Sequence, residues 1–134
     1  AVVAVVAALL TVLPIVWALV SLDWVDDAYA LWGAGEMVVH YMEDHGGRWP
    51  RDWADLKPYF DSGGGRVGGW SFAKYQRRVI IRWDVDPARL ENEAKTNPRP
   101  TFRGISASGR FPGRFGGNEP NEILYRYLRQ RPGQ

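Results

Sequence analysis

The chain contains no cysteine, which excludes disulfides, thiolate metal ligands and cysteine nucleophiles. It has no charged residue among its first 20 positions and no lysine or arginine among its first 47. Histidine is scarce, with only His40 and His45, and three lysines stand against 14 arginines. No serine lies in a Gly-x-Ser-x-Gly elbow. The Gly33-Ala34-Gly35 pair lacks the third glycine of a dinucleotide loop, and the glycines of residues 63–69 lack the Lys-Ser/Thr of a phosphate loop. Familiar hydrolase, nucleotide and thiol chemistries are therefore missing from the sequence.

What is present is unevenly distributed. The 134 residues suit a single domain, by the usual prior of roughly 100–200 residues per domain. A 13% aromatic content argues against disorder, and the uncharged opening run argues against a wholly soluble chain. Residues 1–47 carry six acids and no base, a net charge of −6. Residues 48–134 carry all 17 bases and nine acids, a net charge of +8. Such asymmetry means either that the two parts attract each other or that the basic part meets an anionic surface. Only Arg77 and Arg78 are adjacent, so solvated surface charge is preferred to a dedicated polyanion site.

At about 1.5 Å per residue, a helix over residues 1–20 reaches about 30 Å, the thickness of a bilayer's hydrocarbon core. Trp17 and Trp24 suit the aromatic belt at its edge, and Pro14 is tolerated inside it. We assign residues 1–22 to a transmembrane anchor and residues 23–134 to an extracytoplasmic α+β domain. The alternative is a cleaved signal peptide with Ala28-Tyr29-Ala30 as the cut. It suffers from an overlong apolar region and from three aspartates before the cut. Because residues 21–47 lack Lys and Arg, a single pass with the N-terminus inside is expected, the lipid bilayer being the first partner.

Beyond the anchor, Trp24, Ala28, Leu31, Val38 and Met42 recur at helical spacing, so the membrane helix is expected to run on as a long amphipathic one. Gly33 and Gly35 each cost about 1 kcal/mol in a helix interior, which implies close approach by another element or a bend. Gly46-Gly47 ends it. A short helix follows over residues 49–58, with Pro50 at its first position, Pro58 as its stop, and Trp53 and Leu56 docking on the long helix. Trp49 and Trp53 are expected to lock it there, a fully buried Trp53 being worth about 3–5 kcal/mol against alanine. Residues 62–69 read as a flexible loop. Residues 70–75, 78–86 and 101–106 read as strands of a small antiparallel sheet. Asp86 caps a helical turn through Ala94, residues 108–118 form a Gly- and Arg-rich loop, and residues 120–130 a final helix.

The run Tyr41-Met42-Glu43-Asp44-His45-Gly46-Gly47-Arg48-Trp49-Pro50, followed by Trp53-Ala54-Asp55-Leu56, resembles the helix-end segment of the type IV pilins and the pseudopilins of type II secretion. In that segment a tyrosine, an acidic stretch and glycine precede an aromatic-proline pair. The resemblance covers about the first 60 residues. It implies a ladle-shaped subunit whose long helix backs against a sheet, and a structural or assembly role beside other membrane-anchored subunits. Those families place a glutamate near the start of the apolar helix, and residues 1–20 contain none.

Candidate chemistry is sparse. Glu36, His40 and Asp44 share a helix face, an incomplete ligand set better read as surface hydrogen bonding. Asp84 and Asp86 have the spacing of paired carboxylates on a strand, with solvent-facing roles preferred. Arg103, Arg110 and Arg114 interleave with Phe102, Phe111 and Phe115, which makes Arg110 and Arg114 the candidate contacts for an anionic polymer, lipid or nucleic acid. The expected protein is thus non-enzymatic, without cofactor or metal. The alternative to an assembly subunit is an envelope-surface binding module acting through its basic half.

Overall fold

The computed structural model describes residues 2–99, 101–109 and 119–132. One helix, α1 (Val2–Asp44), organises the chain. Over residues 2–20 every described side chain is exposed, so this stretch is an apolar rod on which none of the described residues packs closely. Pro14 lies within it. The hydroxyls of Thr11 and Ser21 donate back to the carbonyls of Ala8 and Trp17, which removes the cost of carrying them on such a surface. The helix is long and apolar enough to cross a membrane.

From Asp27 the same helix becomes the centre of a core. Ala28, Ala30, Leu31, Ala34, Met37, Val38, Tyr41 and Met42 are buried. These positions cover more than one face of the helix, so burial is wider than the single amphipathic stripe expected from the spacing. The two glycines explain how neighbours come in on different sides. A Cβ on Gly33 would stand 2.5 Å from the Gly64 carbonyl oxygen, and one on Gly35 would stand 2.9 Å from Cα of Pro120. Both glycines therefore serve close approach, not a bend. Gly46 and Gly47, at φ of 64° and 84°, end α1 in the left-handed region, and the Gly47 N–H donates to the Met42 carbonyl at 2.7 Å.

Helix α2 (Trp53–Tyr59) starts later than the sequence suggests. Asp52 caps it by accepting from the Ala54 and Asp55 N–H groups, while Pro50 lies ahead of it, fully buried. Pro58 does not stop it either: the backbone continues into a π-helical turn (Phe60–Gly64) that ends as Gly63 takes φ 93°. The expected loop over residues 62–69 thus begins as helix.

Residues 70–75, read as a strand, instead lead into α3 (Phe72–Arg78), because Ser71 caps it by accepting from the Lys74 N–H. Strand β1 (Val79–Ile81) pairs antiparallel with β2 (Ile105–Ala107), with Ile80 opposite Ser106. The sheet has two strands among the described residues, not the expected three. Alternating burial persists through Asp86, so the periodicity correctly reported extended chain. The ladder nevertheless ends where the Arg82 N–H donates to the Gly104 carbonyl, and the Arg82 carbonyl accepts the Trp49 indole N–H instead of a neighbouring strand.

Helix α4 (Pro87–Thr96) is capped by Asp86, and α5 (Pro120–Gln130) spans the residues expected of it. The outer edge of β2 is closed by a side chain. The buried Asn121 amide accepts from the Gly104 and Ile105 N–H groups at 2.9 and 3.1 Å and donates to the Ile105 carbonyl at 3.0 Å. The fold is α+β, with α1 as its axis, α5, the α2 region, α3 and the small sheet packed on it, and α4 packed on α5.

Candidate functional site

The aromatic-proline segment has a structural explanation. Trp49 is buried, donates its indole N–H to the Arg82 carbonyl at 2.9 Å and meets Phe102 edge-on. Trp53 is half-buried and makes edge contacts with Phe72, Tyr75 and Trp83, while Leu56 is fully buried. The rings that Trp49 and Trp53 meet therefore belong to α3 and to the chain flanking the sheet. Helix α2 itself packs on α1, and Tyr75, which Trp53 meets, donates its hydroxyl to the Ala30 carbonyl of α1 at 2.5 Å. Burial there pushes the Tyr75 phenol far above its ordinary value.

The residues considered for chemistry are engaged elsewhere. Glu36 accepts from the Trp32 indole at 2.9 Å and from the Arg66 guanidinium through two nitrogens. The Arg66 guanidinium also lies 4.0 Å above the Trp32 ring, and its bond to Glu36 holds its pKa above the arginine norm. His40 pairs with Glu43 at 3.2 Å, and Asp44 accepts from the Tyr59 hydroxyl at 2.7 Å. Glu36, His40 and Asp44 are thus each bound to partners of their own, and among the described residues no three His, Cys, Asp or Glu side chains converge as a metal set. Asp86 is a helix cap and Asp84 pairs with Arg82 at 3.4 Å, so those two carboxylates do not act together. Arg103 is exposed; Arg110 and Arg114, with Phe111 and Phe115, lie outside the described residues.

A buried carboxylate meets a guanidinium at one corner, where α1 leaves its apolar stretch. Asp27, 4% exposed, accepts from Arg78 in a two-pronged pair, Nε to Oδ1 at 2.9 Å and Nη2 to Oδ2 at 2.7 Å. The bond to Asp27 raises the Arg78 pKa above the arginine norm, so the guanidinium stays charged. Asp23, one helical turn earlier, stands 3.7 Å from Arg78 Nη1. The acidic half of the chain thus meets the basic half here and again at Glu36–Arg66, which realises the attraction that the charge asymmetry suggested.

A groove of about 620 Å³ opens beside this corner, lined by Trp17 and Val20 toward the apolar rod and by Asp23, Trp24, Arg78 and Ser108 beyond them. Sequence reading passed over Arg78 and Asp27. The available signal was the pair Asp23 and Asp27, four apart and hence on one face, just past a long uncharged run and with every cation far downstream. Compared with known proteins, the chain matches no family model, no curated protein and no solved structure.

Proposed function

We propose that this protein is a non-enzymatic, single-pass membrane subunit of pilin-like or pseudopilin-like design, a structural or assembly part whose domain is held outside the cytoplasmic face. One observation carries the reading: a single unbroken helix is bare and apolar over its first 20 residues and is the central core element thereafter. Bare apolar surface on that scale is stable in lipid and costly in water. Because the core is built on the same helix, the domain has no flexible tether and its position follows the tilt of the span. Rigid coupling of this kind suits a part that must be presented in a fixed orientation to neighbouring subunits. The absence of Lys and Arg from residues 21–47 favours the outside location of the domain.

Two measurements on the full chain test this. It should remain in the membrane pellet after alkaline extraction, and in sealed right-side-out vesicles an external protease should degrade the domain. Release into the soluble fraction refutes the anchor, and full protection of the domain refutes its sidedness. Intact membranes treated with a short cross-linker should yield defined oligomers or a discrete partner; only monomer across a range of reagent would count against an assembly role.

A further inference from the structure

Resting on the membrane-anchored reading, we infer that the groove beside Asp23, Asp27 and Arg78 binds a phospholipid whose headgroup pairs a phosphate with a primary ammonium, the chemistry of phosphatidylethanolamine. Asp23 is the first charge after the apolar run, so it marks where α1 leaves hydrocarbon for headgroups. Trp17 lies six residues earlier, about 9 Å deeper along the helix. The groove spans this interval, with Trp17 and Val20 at its apolar end, Asp23 and Arg78 at its polar end, and Trp24 beside Asp23 at the level of the headgroups. Its polarity therefore changes along the same direction as that of a lipid lying beside the helix, and it is continuous with the surface that acyl chains would cover.

The charges select the headgroup. Asp27 occupies Nε and Nη2 of Arg78, and Nη1 stands too far from Asp23 for a hydrogen bond, at 3.7 Å. The Nη1 donors, held in the guanidinium plane by the Asp27 pair, are left for a phosphate oxygen that approaches in that plane, while the Asp23 carboxylate, 64% exposed, accepts from an ammonium. Among the described residues that line the groove, two carboxylates and one guanidinium leave one net negative charge, which disfavours an anionic headgroup that brings no cation. A choline headgroup carries its positive charge without N–H donors and so lacks the hydrogen bond to Asp23. The primary ammonium meets both requirements.

The full chain, reconstituted in phosphatidylcholine vesicles, is titrated with acyl-brominated phosphatidylethanolamine, phosphatidylcholine or phosphatidylglycerol at equal mole fraction, reading tryptophan quenching. Flotation of the same vesicles reports insertion separately. Phosphatidylethanolamine should occupy the groove about threefold more favourably than phosphatidylcholine, with phosphatidylglycerol weakest, on the scale of one or two exposed charge pairs. Asp23→Asn should abolish the preference for ethanolamine over choline without changing flotation, and Trp17→Phe/Trp24→Phe should remove the lipid-dependent quenching. Equal quenching by all three lipids, or a preference untouched by Asp23→Asn or by the double tryptophan variant, overturns the inference while flotation upholds the anchor. A chain that does not float overturns the anchored reading itself. Equal quenching together with disulfide dimers of a Ser108→Cys chain, otherwise free of cysteine, would assign the groove to a second copy and likewise overturn the lipid.

Discussion

Replacing Asn121 by leucine tests whether one side chain does the job of a missing strand. The amide is 2% exposed and bonds three backbone groups, the N–H of Gly104 and both the N–H and the carbonyl of Ile105. Ile105 is itself 1% exposed, so water has little access to these groups once the amide is gone. Leucine has a similar volume and removes all three bonds with little loss of packing. A buried backbone group left unpaired costs about 1–3 kcal/mol, and relief from desolvating the amide offsets part of the sum, which puts Asn121→Leu at about 4 kcal/mol. For a domain of this size that corresponds to a fall of about 15–25 °C in Tm. Near-UV circular dichroism of the full chain in mild detergent reads it, since the core is rich in rings. Asn121→Asp separates the contributions: it keeps the acceptor, loses the donor to Ile105, and puts a carboxylate where the Asn121 nitrogen now meets Glu119 at 2.5 Å. Repulsion between the two carboxylates should make that variant least stable at neutral pH and restore part of the loss as pH falls and one of them protonates. A drop in Tm of less than about 5 °C for Asn121→Leu would refute the view that this amide closes the sheet edge.

Gly33→Ala should destabilise by about 1–3 kcal/mol net despite alanine's helix propensity, because the added methyl meets the backbone of Gly64 and Gly65 and not a movable side-chain end. A stabilised variant in a urea titration would show that the 64–65 turn is not pressed on α1. Trp53→Ala should cost about 2–3 kcal/mol, less than a fully buried tryptophan, because the ring is half-buried; Trp49→Phe should cost about 1 kcal/mol for the bond to the Arg82 carbonyl. Urea midpoints decide both, and a Trp53→Ala loss below that of Trp49→Phe would contradict the ring cluster. Burial, with help from Asp44, pushes the Tyr59 phenol up to about 12. Raised above its unfolded value of about 10, it contributes stability that is complete below pH 10 and lost as pH rises toward 12. Asp44→Asn should lower that pKa, read as an earlier tyrosinate absorbance step relative to wild type; an unchanged titration would remove Asp44 as a cause.

Local signals carried the parts of the fold that depend on local energy. Pro120 at the start of an amphipathic run, Asp86 before Pro87, and the Gly46-Gly47 stop each satisfy helix-end backbone groups within a few residues, so those boundaries were legible. The apolar opening and the α+β class were legible for the same reason, since length and periodicity are properties of the chain alone. The stretch over residues 70–75 was misread because a short aromatic run suits strand and helix alike, and a single Ser71 bond to Lys74 tips the balance.

Tertiary structure decided everything that depends on a distant partner. Alternation over residues 78–86 determines which side chains face inward, but a strand also needs a neighbour for its backbone, and beyond Arg82 that neighbour is the Trp49 indole. Only folding shows that the open edge of β2 at Ile105 is closed by Asn121. The charge asymmetry was visible in the sequence, yet it could not say which of 17 bases meets Asp27. Arg78 is selected because α3 ends beside the exit of α1 from its apolar stretch, 51 residues away along the chain. Periodicity and capping act within a few residues and are written in the sequence; pairing acts across space, and its partners exist only once the helix has been wrapped.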